Sequence, residues 1–253
     1  MSQAVSRMAQ SSPNISCGNC PIRHNAVCAE CDKDELAALE AAKSYRSFAA
    51  GEPLAVSGEA LTHFSSIVSG CASMSRTLED GRRQTVGLLL PSDFIGRPGR
   101  ATAAYDVVAL SDTVVCRFER RTFDGLVRDT PHIATRLLTM TLDELDAARD
   151  WAVVLGRMTA REKVAAFLVS LIRRRAAATG QGEPAGDVAV ALPLSREAMS
   201  DHLGLTIETT SRQITAMKKD GLIQAINTRA FRIPSFEALA LIAGEDDDGG
   251  PIA

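Results

Sequence analysis

Four of the six cysteines fall inside one stretch of fifteen residues. Cys17–Gly18–Asn19–Cys20 and Cys28–Ala29–Glu30–Cys31 are two Cys-x-x-Cys pairs, with seven residues between them. Each pair can chelate one soft ion, so the stretch can hold zinc, ligate an iron–sulfur cluster or form disulfides. Core packing does not account for the density, because the segment carries few apolar neighbours. The stretch reads as a sensor, and the rest of the chain as what it controls.

The bulk numbers narrow the chemistry. No apolar run reaches the length of a membrane span, and the first sixteen residues lack the apolar core of a signal peptide. These features predict a cytoplasmic protein with no membrane partner, in which thiols stay reduced and ligate rather than pair. The 253 residues suffice for two modest domains, and 45% hydrophobic with 23% charged residues is ordinary for a soluble chain. A net charge of −3 means that a nucleic-acid partner needs a local basic face.

The elements that must position the thiols follow in order. Residues 1–16 are Ser- and Gln-rich and predict disorder. Asp32 to about Ala42 predicts a short helix with Leu36 and Leu39 on one face. From Lys43 to about Glu119, short apolar runs alternate with Gly, Asp, Pro and Ser punctuation, which predicts a compact β barrel or sandwich. Asp80–Gly81 is its best hairpin turn. Cys71 reads as a buried strand residue, Cys116 lies in a late strand, and His24 reads as a solvated loop residue. A short helix over Glu119–Arg128 ends near Pro131. Ile133 to Met158 then predicts about 26 residues of amphipathic helix. Its apolar stripe is wide enough to face both its own domain and a second copy, so a homodimer is expected.

Thr159–Ala160–Arg161–Glu162 is a capping box that opens the next helix, which runs through Phe167 and Leu171 to Arg173–Arg175. Residues 176–187 read as a loop, and the acidic tail from Glu245 as disordered. The organisation expected is α+β. Residues 1–31 form a cysteine-rich segment, 32–130 a β domain, 131–158 a dimerisation helix, 159–244 a second domain, and 245–253 the tail.

A second constellation lies in Leu194–Leu222. Ser195 can cap a first helix, Gly204 permits a turn, Thr206 can cap a second helix, and Gly221 stops it. Two short helices joined by a tight turn have the form of a DNA-binding helix-turn-helix, and the runs at Leu222–Ile226 and Phe231–Ile233 add a wing. The outward face of the second helix carries Glu208, Thr209, Ser211 and Arg212. Arg212 suits guanine O6 and N7, and Glu208 suits cytosine N4 or the placing of Arg212. Thr209 and Ser211 suit thymine or phosphate. Arg196, Lys218 and Lys219 are placed for phosphates of double-stranded DNA.

The order of these parts resembles the CRP/FNR family of transcription regulators, over about Cys17 to Gly244. The resemblance implies a β-roll like that of cyclic-nucleotide-binding domains, a dimerisation helix and a winged helix-turn-helix. Gly204–Leu205–Thr206–Ile207–Glu208–Thr209–Thr210–Ser211–Arg212 is similar to the FNR-type recognition motif for a TTGAT-like half-site. Leu90–Pro91–Ser92–Asp93–Phe94–Ile95–Gly96 resembles the β-roll turn. After it the Arg-Ser pair and ribose carboxylate of the cyclic-nucleotide branch are missing, so no cyclic nucleotide is expected.

The FNR branch implies a 4Fe-4S cluster on three N-terminal cysteines and one from the β-roll. Here these are Cys17, Cys20 and Cys28, with Cys116 as the fourth. The cluster would become 2Fe-2S after oxygen exposure. The spacing between Cys20 and Cys28 is similar to that of the FnrL-type subgroup. The resemblance also implies RNA polymerase as a partner, with the Leu78–Arg83 hairpin as a plausible contact.

Cys31 keeps an alternative open. A local zinc site of Cys17, Cys20, Cys28 and Cys31 on a constitutive DNA-binding regulator is the rival. Cys116 is favoured because a β-roll ligand ties the N-terminal segment to the effector domain, which a local site does not. A thiol–disulfide enzyme would need a surrounding βαβ pattern and leaves the helix-turn-helix unexplained, so no enzymatic activity is expected.

Overall fold

The computed structural model describes residues 15–244. Most of the N-terminal stretch expected to be disordered, and the whole acidic tail, lie outside the described residues. Ile15 and Ser16 are placed, and the Ile15 carbonyl accepts from Lys43 Nζ at 2.6 Å and from the Tyr45 hydroxyl at 3.1 Å. The N-terminal segment is therefore anchored from Ile15 onward, one residue pair earlier than composition suggests.

A short 3-10 turn at Cys17–Asn19 precedes α1 (Lys33–Ala42), which Asp32 and Glu35 open with a reciprocal capping box. Eight strands follow: β1 (Lys43–Phe48), β2 (Pro53–Ala55), β3 (His63–Ser69), β4 (Ala72–Thr77), β5 (Arg83–Leu89), β6 (Phe94–Ile95), β7 (Asp106–Ala109) and β8 (Thr113–Glu119). They form two antiparallel four-stranded sheets, in the orders β1-β8-β3-β6 and β2-β7-β4-β5. Phe48, Ile67, Leu89, Val107 and Val115 fill the space between the sheets. Strand alternation sends Val115 into that core and turns Cys116 and Phe118 to the opposite face.

That outer face holds a second core. Phe64, Phe118, Phe123, Leu39 and Ile133 pack there with Ile22, Ala26, Val27 and Cys31 of the cysteine-rich segment. Gly96 approaches the Phe64 ring so closely that a Cβ would stand 2.3 Å from it, at φ +115°. A glycine is required there on both counts.

Then come α2 (Arg120–Asp129) and α3 (Pro131–Arg157). Pro131 opens α3 at its first turn, where its missing N–H costs nothing. The long helix thus starts two residues before the apolar pattern does. Its 27 residues span roughly 40 Å at 1.5 Å each. Leu138, Leu142 and Leu145 stand exposed by 60%, 52% and 44% along one stripe. Arg136, Met140, Ala147 and Trp151 instead line a cavity of about 780 Å³ shared with the β-roll and the next helix.

The C-terminal domain consists of α4 (Ala160–Ala178), β9 (Val188–Ala191), α5 (Arg196–Leu203), α6 (Ile207–Lys219), β10 (Gln224–Ala225), β11 (Ala230–Ile233) and α7 (Phe236–Ile242). The Thr159–Glu162 capping box is present in both directions. The wing is three-stranded, in the order β10-β11-β9. Its third strand, β9, begins directly after the stretch that composition suggests is a loop, and α4 runs three residues into that stretch. This domain docks on the β-roll. Arg83 pairs with Asp201 at 2.7 Å, Gln84 donates to the Asp201 carbonyl at 3.1 Å, and Arg174 reaches the Leu88 carbonyl at 2.8 Å and the Asp93 carboxylate. No helix among the described residues is long and apolar enough to cross a membrane.

Candidate metal centre and nucleic-acid interface

The cysteine-rich segment lies on the outer face of β8. Cys17 and Cys31 are buried, and Cys20 and Cys28 are half-buried against the core that contains Cys116. Burial pushes the Cys116 thiol up to about 12, and the charges of Cys17, Cys20 and Cys28 add to that rise. Cys31 is also pushed up to about 12 by burial, but its charged neighbours are Glu35, Cys28, Arg23 and Asp32. Burial and then a hydrogen bond with Glu40 push Cys17 up to about 11. Burial raises Cys28, against the opposing charge of Arg23. Thiols held this high keep their protons at neutral pH unless a cation takes the proton's place.

Side chains outside the two Cys-x-x-Cys pairs build the frame. Glu40 Oε2 accepts from the Cys17 N–H at 2.5 Å and pairs with Lys43 Nζ at 2.8 Å. Lys43 Nζ also stands 3.5 Å from Cys17 Sγ. Tyr45 sits directly opposite Cys116 across the β1–β8 ladder. The Arg23 guanidinium donates to the carbonyls of Cys28 at 2.6 Å, Ala29 at 2.8 Å and Cys31 at 3.0 Å, fixing the second pair's turn.

The loop between Cys20 and Cys28 is tied to two helices. Arg136 of α3 donates to the Asn25 carbonyl at 2.7 Å, and Asn25 Nδ2 donates to the Ala178 carbonyl of α4 at 3.4 Å. None of these long-range contacts has a local sequence signal. Glu40 and Lys43, three residues apart across a helix end, are the nearest to one.

Cys71 lies fully buried in a different core, beneath the C-terminal domain, as its flanking strand residues suggest. His24 is exposed. Among the described residues, the one group of three or more His, Cys, Asp or Glu ligand atoms within 4.8 Å of one another is Asp32, Glu35 and His132. Asp32 and Glu35 there serve the α1 cap, and Glu35 accepts from His132 at 2.8 Å.

The helix-turn-helix forms with its expected caps. Ser195 accepts from the Ala198 N–H, Gly204 adopts the left-handed conformation, and Thr206 accepts from the Thr209 N–H. A buried hydrogen bond of 2.9 Å between Ser200 and Thr210 joins the two helices. Glu208 and Arg212 are exposed, and Thr209 and Ser211 are half-buried. Arg212 Nη2 donates to the Thr209 hydroxyl at 3.3 Å. Lys218 and Lys219 are exposed at the helix end. Arg196 is half-buried, with its guanidinium 5.1 Å from the centre of the Phe231 ring, and Lys218 approaches the same ring at 5.4 Å. The wing thus gathers the basic residues from both helices.

Comparison with known proteins agrees with this layout. Residues 45–130 match the cyclic nucleotide-binding domain family, and residues 162–242 the Crp-like helix-turn-helix domain. The chain is 54% identical to the transcriptional activator protein FnrL of Cereibacter sphaeroides, over 92% of this chain and 94% of that protein. It is 36% identical to the nitrogen fixation regulation protein FixK of Bradyrhizobium diazoefficiens, over 83% and 87%. Its fold is similar to the solved structure of FixK2 from Bradyrhizobium japonicum, with a TM-score of 0.71 and 30% identity, covering 79% of this chain and 96% of that one.

Proposed function

Because the chain belongs to the CRP/FNR family of transcription regulators, we propose that it is a cytoplasmic, oxygen-responsive DNA-binding regulator. In this reading Cys17, Cys20, Cys28 and Cys116 hold a 4Fe-4S cluster under low oxygen, and a homodimer binds a palindromic TTGAT-like site. The observation that carries the reading is the packing of the cysteine-rich segment on the outer face of β8, where Cys20 and Cys28 lie against the core that holds Cys116 and the charges of Cys17, Cys20 and Cys28 add to the rise of its thiol.

The donor set fits the group. Cys20, Cys28 and Cys116 share one buried patch with Cys31, Cys17 lies near enough for its charge to bear on Cys116, and a cluster bound there would supply reactivity toward oxygen. A zinc ion with bonds of about 2.3 Å needs its four sulfurs about 3.8 Å apart. No three cysteine sulfurs of the described residues lie within 4.8 Å of one another, which favours a larger group.

The remaining steps belong to the chain's own residues. Ligation orders the Cys20–Cys28 loop, and Arg136 and Asn25 carry that order to α3 and α4. The exposed stripe of Leu138, Leu142 and Leu145 receives a second copy. Dimerisation sets two α6 helices about one DNA turn apart. Glu208, Thr209, Ser211 and Arg212 then read bases, while Arg196, Lys218 and Lys219 hold phosphates. Ligation must favour the dimer-competent state for this coupling to work. The Leu78–Arg83 hairpin is the proposed contact for RNA polymerase.

Anaerobic purification with visible absorption and iron, sulfide and zinc analysis tests the reading. A brown protein with about four irons per chain is expected. A colourless protein with one zinc refutes the cluster. Retention of iron in Cys116→Ala, or its loss in Cys31→Ala, refutes the ligand assignment.

A further inference from the structure

We infer that Lys43 is a tuning residue of the thiol centre, donating an N–H···S hydrogen bond to Cys17 and setting the reduction potential of the iron group that Cys17 ligates. The inference rests on the cluster reading above.

The position of Lys43 is unusual for a lysine. Its side chain is only 5% exposed. A buried ammonium is costly unless every proton has an acceptor. Its three protons meet three acceptors: Glu40 Oε2 at 2.8 Å, the Ile15 carbonyl at 2.6 Å and Cys17 Sγ at 3.5 Å. The Tyr45 ring lies 5.4 Å from Nζ and covers another side. The structure therefore holds a fixed positive charge against a ligand sulfur. That charge also bears on Cys28 and Cys116.

A cation and an N–H···S bond beside an iron–sulfur group favour its more negative, reduced state, and so raise its potential. Glu40 acts in the opposite sense, as a carboxylate paired to the same ammonium. A purely structural pair would not give opposite signs for the two residues.

The test uses full-length, anaerobically purified protein, titrated with dithionite and followed by visible absorption and electron paramagnetic resonance. Iron content and circular dichroism are measured alongside. Lys43→Met should shift the midpoint to more negative potential, Lys43→Arg should stay near the parent protein, and Glu40→Gln should shift it to more positive potential. A fully iron-loaded Lys43→Met with an unchanged midpoint overturns the inference. So do shifts of one sign in Lys43→Met and Glu40→Gln. If Lys43→Met holds no iron, Glu40→Gln decides: a positive shift upholds the inference and an unmoved midpoint overturns it. An unsubstituted chain that holds no iron overturns both this inference and the cluster reading. An iron-loaded chain whose potential is indifferent to both residues overturns this inference alone.

Discussion

The indole of Trp151 lies flat against the imidazole of His202, with ring centroids 4.4 Å apart and planes 18° from parallel. The contact joins α3 to the first helix of the helix-turn-helix, and Phe167 of α4 meets the same imidazole edge-on at 5.7 Å. Burial holds the His202 pKa down to about 4, against the lift from a hydrogen bond with the Thr85 backbone.

The pH dependence follows from that depression. The unfolded chain takes up a proton at this residue below about pH 6.5, while the folded chain refuses it until about 4. The contribution is fully present above 6.5 and is lost as pH falls toward 4. It amounts to about 3 kcal/mol. Urea midpoints of the iron-free chain, followed by the fluorescence of Trp151, the one tryptophan, should fall across this window. His202→Gln should flatten the fall, and an equally steep profile in that variant would contradict the assignment.

Leu142 is 52% exposed at the centre of the α3 stripe. Leu142→Glu should leave protomer stability within about 0.5 kcal/mol, since the site is solvated in the single chain. It should also put two like charges at the seam of a dimer. Analytical ultracentrifugation should show monomers at concentrations where the parent protein is dimeric. A persistent dimer would place the interface elsewhere.

Arg212 is exposed on the leading end of α6 and steadied by Thr209. Arg212→Ala should weaken binding to the preferred site by about 1–3 kcal/mol and relax the choice at one guanine. Competition binding against single-base variants of the site measures this. An unchanged preference order would remove the base-reading role.

Arg136 contributes two donors to the carbonyls of Asn25 and Ala26. Arg136→Gln should cost about 1–3 kcal/mol of local order, as charge-assisted bonds are lost. Amide hydrogen exchange should quicken over residues 22–28 and stay unchanged in α6. Uniform quickening would mean global destabilisation instead.

The parts of the molecule legible in the sequence are those set by local chemistry. Thr159 with Glu162, Ser195, Gly204 and Thr206 each announce a helix end, because caps and left-handed turns depend on near neighbours. The β-roll was legible from its turns, and Asp80–Gly81 does close the β4–β5 hairpin. What stayed hidden depends on distant partners. Val188–Ala191 is four residues long and becomes a strand only through β11. Lys43 looks like any surface lysine until the cysteine-rich segment folds over it. The docking of α5 on β5 through Asp201 and Gln84 joins residues more than a hundred positions apart.

The cavity face of α3 carries Arg136 near one end and Trp151 near the other. They are separated by roughly 22 Å of continuous helix at 1.5 Å per residue. Residues 141–150, most of the stretch between them, are exposed throughout the single chain. The helix therefore works as an axle with a bearing at each end, its middle turns facing the open cavity and solvent rather than packed side chains. A twist applied at the Arg136 end arrives at Trp151 with little slack. Two such axles laid side by side would each steady the other's unsupported span, so the paired form is also the mechanically stiffer one.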